Sequence, residues 1–204
     1  MVVKADYIAD LLEKDEEEAD PLVITPRPDL AKLRVSGSAS VDLRLGSWFL
    51  MLRRARVSCM EISSTNSERE NIEQFTRSVF IRFGDEFVLH PRSFVLGATL
   101  EWIRMPTNMA GIVTGKSSWG RRGLIIATAT GVHPGFTGCL TLEITNLGEI
   151  PIKIRPGMSI CQLFLHRAEG ADQTGDTSLY NGKRRPVLLS IPIDNFSKKL
   201  LEDS

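Results

Sequence analysis

Between Ser40 and about Leu165 the sequence consists of short runs of β-branched and aromatic residues, separated by Gly, Pro and Asn. Such runs are typical of β-strands joined by tight turns. Several runs alternate in polarity: Leu140, Leu142 and Ile144 are apolar, and the residues between them are polar. This alternation turns one face of a strand toward a core and the other toward solvent or a cleft. Many short strands with few helical patterns therefore predict an all-β domain, closed or sandwiched.

The segments around this β core, assigned to residues 40–166, differ in character. In residues 1–20 apolar side chains recur at helical spacing, which predicts a short amphipathic helix followed by a solvated acidic run. The segment ITPRPDL contains two prolines and is predicted to be an extended connection. The polar residues 63–75 predict a surface loop or short helix. The tail, residues 170–204, is rich in Gly, Asp and Thr at its start and is predicted to be a mobile lid.

The size and charge of the chain limit its class. A length of 204 residues suits a single domain, assigned to residues 1–204. Lys and Arg total 25 against 25 Asp and Glu, so the formal charge is zero. This balance argues against nucleic acid or an anionic membrane as a partner. The zero nevertheless hides a split, because residues 1–20 carry 2 basic and 8 acidic side chains, and the basic excess lies in residues 21–204.

Cysteine usage and hydropathy suggest a cytoplasmic protein. Cys59, Cys139 and Cys161 are odd in number and widely spaced, which does not suggest a disulfide framework. No apolar run reaches the ~18–20 residues that a membrane-spanning helix needs. The first twenty residues also lack the apolar centre of a signal peptide.

The segment TGKSSWGRRG, residues 114–123, combines glycines, hydroxyls and the basic residues Lys116, Arg121 and Arg122. Glycines let backbone N–H groups approach an anion, and the side chains add donors and positive charge. The spacing is one residue short of a phosphate-binding P-loop, and no long helical pattern follows, so a nucleoside-triphosphatase loop is excluded. From the residues alone, an anion site and a basic surface turn remain about equally plausible.

A second group of candidate residues lies between positions 131 and 145. Glu143 lies mid-strand between two threonines, which fits either a water-facing side chain or a general base in a cleft. His133 and Phe136 lie in the Gly/Pro turn GVHPGFTG, the kind of loop on a β scaffold that carries binding residues. A zinc site is excluded, because neither the H-x-E nor the P-C-x-x-C pattern of the zinc deaminases occurs.

Taken in order along the chain, five segments resemble motifs of one protein family. The family is the dCTP deaminase branch of the dUTPase-like superfamily, and the resemblance covers nearly the whole chain. The segments are SASVDLRLG (38–46), TGKSSWGRRGL (114–124), ATATGVHPGFTGCLTLEITN (127–146), IKIRPGMSICQL (152–163) and SLYNGK (178–183).

The resemblance implies a fold, an assembly and a reaction. The fold is a distorted β-barrel, or β-clip, with a short N-terminal helix. The assembly is a homotrimer with active sites at the subunit interfaces. The reaction is the zinc-free hydrolytic deamination of dCTP to dUTP and ammonia in pyrimidine deoxynucleotide biosynthesis. It further implies Mg²⁺ arriving with the triphosphate, and dTTP as a candidate inhibitor.

By match to the family's motifs, Glu143 is the general base and proton shuttle, and Ser117 and Arg121 position the water and stabilise charge. These roles suit water activation without a metal, because a carboxylate takes the proton while fixed donors hold the tetrahedral centre. The same match assigns nucleotide contacts to Lys116, Ser118, Ala129, His133, Phe136, Gln162, Tyr180 and Lys183.

The sequence departs from the family pattern where the sugar is expected to bind. His133 replaces the usual Asp, and Gly131 replaces an Arg common in single-function deaminases. Lys116 replaces an Arg, exchanging a bidentate fork for a point charge. Two alternatives stay open: a bifunctional deaminase and dUTPase-like hydrolase that yields dUMP, and a non-catalytic nucleotide-binding homologue. The preference between deoxyribose and ribose also stays open.

Overall fold

The structure is a computed structural model that describes residues 1–14, 19–53, 63–64, 75–127, 131–170, 180–189 and 191–192. Its helices are α1 (Ala5–Glu13), α2 (Leu30–Val35) and α3 (Ser117–Gly120). Its strands are β1 (Val23–Thr25), β2 (Ser40–Leu52), β3 (Ser63–Ser64), β4 (Thr76–Phe80), β5 (Phe87–Leu89), β6 (Phe94–Arg104), β7 (Met109–Gly115), β8 (Leu124–Ile126), β9 (Gly131–Val132), β10 (Thr137–Asn146), β11 (Ile152–Ile154), β12 (Ser159–Arg167) and β13 (Ile191–Pro192).

Nine of these strands form one curled sheet, in the order β8-β10-β6-β2-β12-β7-β9, with β1 added to β6 and β4 added to β2. Two small pairs lie off it, β11 with β5 and β13 with β3. The mainly β fold and the short N-terminal helix that the sequence predicts are both confirmed.

The long strand β2 curls the sheet by changing partners along its length. Its first half pairs with β12, and its second half pairs with β6 and β4. The β2–β6 register is irregular between Leu45 and Phe49. Within this irregularity, a Cβ at Gly46 would lie 3.0 Å from the carbonyl oxygen of Ala98. The absence of a side chain at Gly46 thus lets β2 approach the β6 backbone as it bends.

Alternation in the sequence matches burial in the structure. Along β10 every second residue is buried, and Leu142 and Ile144 are fully so. The segment ITPRPDL is extended through β1, as predicted. Its last residue, however, begins α2, a helix that the prolines did not suggest, because the Asp29 side chain caps it by accepting from Lys32 N–H at 3.0 Å.

A hydrophobic core joins the sheet to α1. Helix α1 buries Ile8 and Leu12 completely or nearly so, which is the amphipathic pattern expected of it. On β2, Phe49 is fully buried and stacks on Phe87 of β5, with ring centroids 4.6 Å apart. The assignment of residues 1–204 to a single domain stays a prediction.

Some predictions fall outside the described residues. They are the acidic run after α1 at residues 15–18, the loop over most of 63–75, and the tail at 171–179 and 193–204. In the part of the chain that is described, no helix combines the length and apolarity needed to cross a bilayer.

Replacing Phe49 with alanine tests the core. The Phe49→Ala change removes a fully buried ring and its stacking contact with Phe87. It should lower the free energy of unfolding by about 3–5 kcal/mol. The matched control is Phe83→Ala, because Phe83 is 64% exposed, and its loss should change stability by no more than about 0.5 kcal/mol. Urea denaturation measures both, and equal losses in the two variants would contradict this account of the core.

Candidate active site

Glu143 lines a cavity of about 510 Å³, here called the Glu143 cavity. His133 and Phe136 of the turn before β10 line it too, together with Tyr180 of the tail. Most of the remaining wall is apolar and comes from Leu52, Phe94, Leu96, Val113, Val132 and Leu140. Glu143 therefore does not simply face open water, and the structure supports the cleft interpretation of this residue.

The position of Glu143 follows from strand pairing on both sides of β10. On one side Glu143 lies opposite Leu96 of β6, and on the other its carbonyl accepts from Ala127 N–H at 2.9 Å. Its neighbours Leu142 and Ile144 are buried in the core. Because side chains alternate along a strand, the Glu143 carboxylate must point to the opposite face, into the cavity.

Lys116 lines a second cavity, of about 450 Å³, here called the Lys116 cavity. Its Nζ atom contacts Asp42 Oδ2 at 2.6 Å and Ser159 Oγ at 3.1 Å. The Gln162 side chain donates from Nε2 to the other oxygen of Asp42, at 3.1 Å. Strand register explains the grouping, since Asp42 of β2 lies directly opposite Gln162 of β12.

The Asp42 carboxylate is held in its ionised form. Partial burial alone would raise its pKa, but hydrogen bonds from Lys116 and Gln162, with the charge of Lys116, outweigh burial and lower the pKa below its ordinary value. The cavity therefore presents a fixed pair of opposite charges. Asp42 keeps almost half of its side-chain surface exposed, so the pair adds at most about 1 kcal/mol to stability.

Ser117, Ser118 and Arg121 lie on or just after α3 and are exposed. The helix is fixed by Trp119, whose Nε1 donates to the carbonyl of Ser159 at 2.8 Å. Exposed hydroxyls and an exposed guanidinium on this short turn fit both an anion site and a basic surface turn, so the anion-binding interpretation stays a prediction. Arg122 is used differently, because its Nη1 donates to the carbonyl of Ser118 at 2.7 Å.

The predicted site residues are divided within one chain. Glu143, His133, Phe136 and Tyr180 share the Glu143 cavity, whereas Lys116 and Gln162 share the Lys116 cavity. Ser117, Ser118 and Arg121 are not among the described residues that line the Glu143 cavity. Ala129 lies outside the described residues. Among the described residues of one chain, the predicted general base therefore does not line the same cavity as its predicted partners.

The described part of the tail lies against the start of β10 in the same chain. Gly182 N–H donates to the carbonyl of Thr137 at 2.6 Å, and Cys139 N–H donates to the carbonyl of Lys183 at 2.8 Å. The side chain of Asn181 accepts from Thr137 N–H at 2.7 Å. These bonds place Tyr180 at the wall of the Glu143 cavity. Closure of the tail as a lid stays a prediction.

Two tail arginines pack on tryptophans of the sheet. The Arg184 guanidinium lies 4.8 Å from the ring centroid of Trp102, and that of Arg185 lies 3.9 Å from the ring of Trp48. Such cation–π contacts add about 0.5–1 kcal/mol each at exposed sites. They hold the basic segment of the tail, which contains Arg184 and Arg185, on the sheet.

Sequence reasoning gave no site role to Asp42 or Ser159, although both contact Lys116. A signal for Asp42 was present, because it is a charged residue on the polar face of an alternating strand within the motif SASVDLRLG. Ser159 carried no comparable signal, since its place beside Lys116 depends on the pairing of β12 with β2.

Within the described ranges, no three His, Cys, Asp or Glu side chains are grouped so as to hold a metal ion.

Comparison with known proteins identifies the family. Residues 4–168 match the dCTP deaminase-like family. The chain belongs to this family. A dCTP deaminase of Natronomonas pharaonis is 44% identical over 148 residues, covering 72% of each chain. A relative from Halobacterium salinarum, named dCTP deaminase, dUMP-forming, is 42% identical over 154 residues, covering 74% of this chain and 76% of its own. The family membership that the motifs predict is confirmed.

The fold is also shared with a solved structure of the family. The crystal structure of 2'-deoxycytidine 5'-triphosphate deaminase from Agrobacterium tumefaciens superposes with a TM-score of 0.58 at 24% identity. The match covers 80% of this chain and 46% of that one. The β architecture described above is thus shared with the matched part of that structure.

The Lys116–Asp42 contact predicts a change in carboxylate titration. Because Lys116 is a cause of the lowered pKa of Asp42, Lys116→Met should raise that pKa, since burial is then opposed only by the hydrogen bonds from Gln162 and Ser159. In the wild type, Asp42 stabilises the fold above its unfolded-state pKa, and this stability is lost as pH falls through the lower folded pKa. Carboxyl ¹³C NMR titration of both proteins measures the shift. A pKa for Asp42 that is the same in both would contradict the assignment.

Proposed function

We propose that the protein is a dCTP deaminase that converts dCTP and water into dUTP and ammonia. The observation that carries the proposal is the placement of Glu143 in a largely apolar cavity beside the turn of His133 and Phe136, in a chain of the dCTP deaminase-like family. An apolar wall suits a planar base, and a single carboxylate supplies a proton acceptor within it.

The chemistry assigned to Glu143 is proton transfer. Its carboxylate takes a proton from water as the oxygen attacks C4 of the cytosine ring, forming a tetrahedral centre. The carboxyl gives this proton to the ring N3, then takes the proton of the new C4 hydroxyl and gives it to the leaving amine. The C4–N bond breaks as the C4 carbonyl forms, so that ammonia departs and uracil remains. Ser117 and Arg121 hold the water and stabilise the charge that develops, as fixed donors do in other hydrolytic sites.

The triphosphate is assigned to the Lys116 cavity and α3. Lys116 supplies a charge, Ser118 an exposed hydroxyl and Gln162 an amide, and the tail adds Lys183. We propose that Mg²⁺ enters with the triphosphate, held mainly by phosphate oxygens and water. A cation held in this way needs few or no ligands from the protein, and the residues present fit it on that ground, since both oxygens of Asp42 already accept from Lys116 and Gln162.

A complete site requires a second copy of the chain under this proposal. Glu143 lines one cavity, whereas Ser117 and Arg121 are exposed on and just after α3 and do not line that cavity. In a cyclic assembly, one surface of each copy contacts a different surface of the next copy. The exposed donors of one copy can therefore complete the Glu143 cavity of its neighbour. We propose a homotrimer with three such sites. Inhibition by dTTP is proposed on family resemblance alone.

The product proposed is dUTP. His133 lines the Glu143 cavity. At this position the family usually carries a carboxylate, which can activate water for pyrophosphate cleavage, whereas His133 carries an imidazole. The competing possibility is dUMP, favoured by the names of relatives such as that of Halobacterium salinarum. Formation of dUMP would release pyrophosphate, whereas deamination alone leaves the triphosphate intact.

Incubation with dCTP and Mg²⁺ tests the reaction and its product. The wild type should release ammonia and form dUTP, resolved from dUMP by anion-exchange chromatography. Glu143→Gln keeps the shape of the side chain and removes the base, and should lower kcat by at least about a hundredfold. The matched control is Glu149→Gln, an exposed glutamate beyond the end of β10, which should retain full activity.

Three results would decide against parts of this proposal. Pyrophosphate and dUMP among the products would overturn dUTP as the product. Binding of dCTP without turnover would replace the enzyme with a nucleotide-binding homologue. Full activity of Glu143→Gln would remove Glu143 as the base.

Mixing two inactive variants tests whether the site is shared between copies. Glu143→Gln and Arg121→Ala should each be inactive alone. After the two proteins are unfolded and refolded together, a site that takes Glu143 from one chain and Arg121 from its neighbour is intact in about one case in four. Recovery of about a quarter of wild-type activity is therefore expected. No recovery, from mixtures shown by sedimentation to have assembled, would place the whole site within one chain.

A further inference from the structure

Glu101 is a buried carboxylate that the proposed chemistry does not use. It lies on β6, is 2% exposed and lines the Lys116 cavity. Both of its carboxylate oxygens are directed at Arg44: Oε2 accepts from the backbone N–H at 2.8 Å, and Oε1 accepts from the side-chain Nε at 2.6 Å. A buried carboxylate costs free energy unless it is paired and hydrogen-bonded, and both conditions are met by one residue.

The bond from Arg44 N–H to Glu101 gives that backbone group a partner where β2 bends. At Leu45 the strand bonds to the turn before β12, donating to the carbonyl of Met158 at 2.8 Å and accepting from Gly157 N–H at 2.7 Å. One residue earlier, Arg44 N–H is bound by Glu101. Buried N–H groups need partners, so Glu101 supplies one where β2 changes its pairing.

The bond from Arg44 Nε to Glu101 fixes the direction of the Arg44 guanidinium. Asp42 and Arg44 lie on the same face of β2, separated by the buried Leu43. Across the sheet Arg44 lies opposite Ser159, the residue whose hydroxyl contacts Lys116. The guanidinium is therefore held next to the Lys116–Asp42 pair, along the same wall of the cavity.

Part of the guanidinium is left available. Nε is used by Glu101, and neither Nη atom has a hydrogen-bond partner among the described residues. The Arg44 side chain is 38% exposed, so these donors are open to the cavity. A guanidinium whose Nε is anchored and whose Nη groups are open is arranged to bind an oxyanion with little loss of rotamer freedom.

We infer that Arg44, oriented by Glu101, is a further residue that binds the triphosphate, in addition to Lys116. The inference rests on the proposed function, because it assigns a ligand to that same site. Arg44 supplies the planar donor fork that is missing at position 116, where lysine offers a point charge. Glu101 is a positioning residue that acts only through Arg44.

Calorimetric binding of inorganic triphosphate and of dCTP to the full chain tests the inference. Arg44→Gln should weaken the binding of both ligands about tenfold or more, because it removes charge-assisted hydrogen bonds. The KM for dCTP should rise in parallel, with a much smaller change in kcat. The matched control is Arg82→Gln, the same substitution at an exposed arginine between β4 and β5, which should bind both ligands as the wild type does.

The role of Glu101 is separated from a purely structural one by a double-mutant cycle. Glu101→Gln should weaken triphosphate binding, and adding it to Arg44→Gln should weaken binding no further. If Glu101→Gln fails to fold, Arg44→Lys still tests the fork of Arg44 itself, because it keeps the charge but loses the fork and should bind triphosphate less tightly than the wild type.

Each outcome bears on the inference separately from the proposed reaction. If Arg44→Gln binds inorganic triphosphate as tightly as Arg82→Gln does, or if the wild type binds no inorganic triphosphate, the inference is overturned. If Arg44→Gln loses affinity in a chain that binds dCTP without deaminating it, the assignment of Arg44 is supported and the proposed reaction is the part that fails.

Discussion

The pairing of β2 with two different sets of strands is the constraint on which the rest of the structure depends. Its first half pairs with β12, which in turn pairs with β7, and its second half pairs with β6, which in turn pairs with β10. The sheet curls because one strand belongs to both parts. The bend is made possible by the missing side chain at Gly46 and by the buried carboxylate of Glu101. Both cavities lie on parts of the sheet that this strand connects.

Under the proposed function, the two cavities take different parts of the nucleotide. The Glu143 cavity is largely apolar with one carboxylate, which suits a base undergoing proton transfer. The Lys116 cavity is lined by charged groups, with Lys116 and Arg44 each paired to a carboxylate. Pairing of this kind keeps cationic side chains in place before a ligand arrives, so less conformational entropy is lost on binding.

Sequence alone predicted the strands well because their signal is local. The alternation in β10 required only neighbouring residues, and it placed Glu143 on the face that the structure turns into a cavity. Helix α2 was missed because it is six residues long and begins at an Asp cap just after a proline. Its apolar periodicity is too short to detect.

The division of the site between cavities could not be predicted from local pattern. Whether Lys116 contacts Asp42 depends on which strands pair and in what register, and these residues are 74 positions apart. The same holds for Glu101 and Arg44, 57 positions apart. Family motifs predicted Lys116 as a binding residue, but they did not indicate that its charge is already matched by Asp42 within the chain.

The docking of the tail limits which residues can change during evolution. Gly182 and Lys183 attach to β10 through main-chain atoms, so a different side chain at position 183 would alter charge without detaching the tail. The attachment of the tail instead restricts which residue can occupy position 138 of β10. Gly138 has a φ of +149°, and a Cβ there would lie 3.0 Å from the carbonyl oxygen of Lys183. Homologues that keep this tail position should therefore retain glycine at 138, whereas the attachment itself sets no requirement for the side chain at 183.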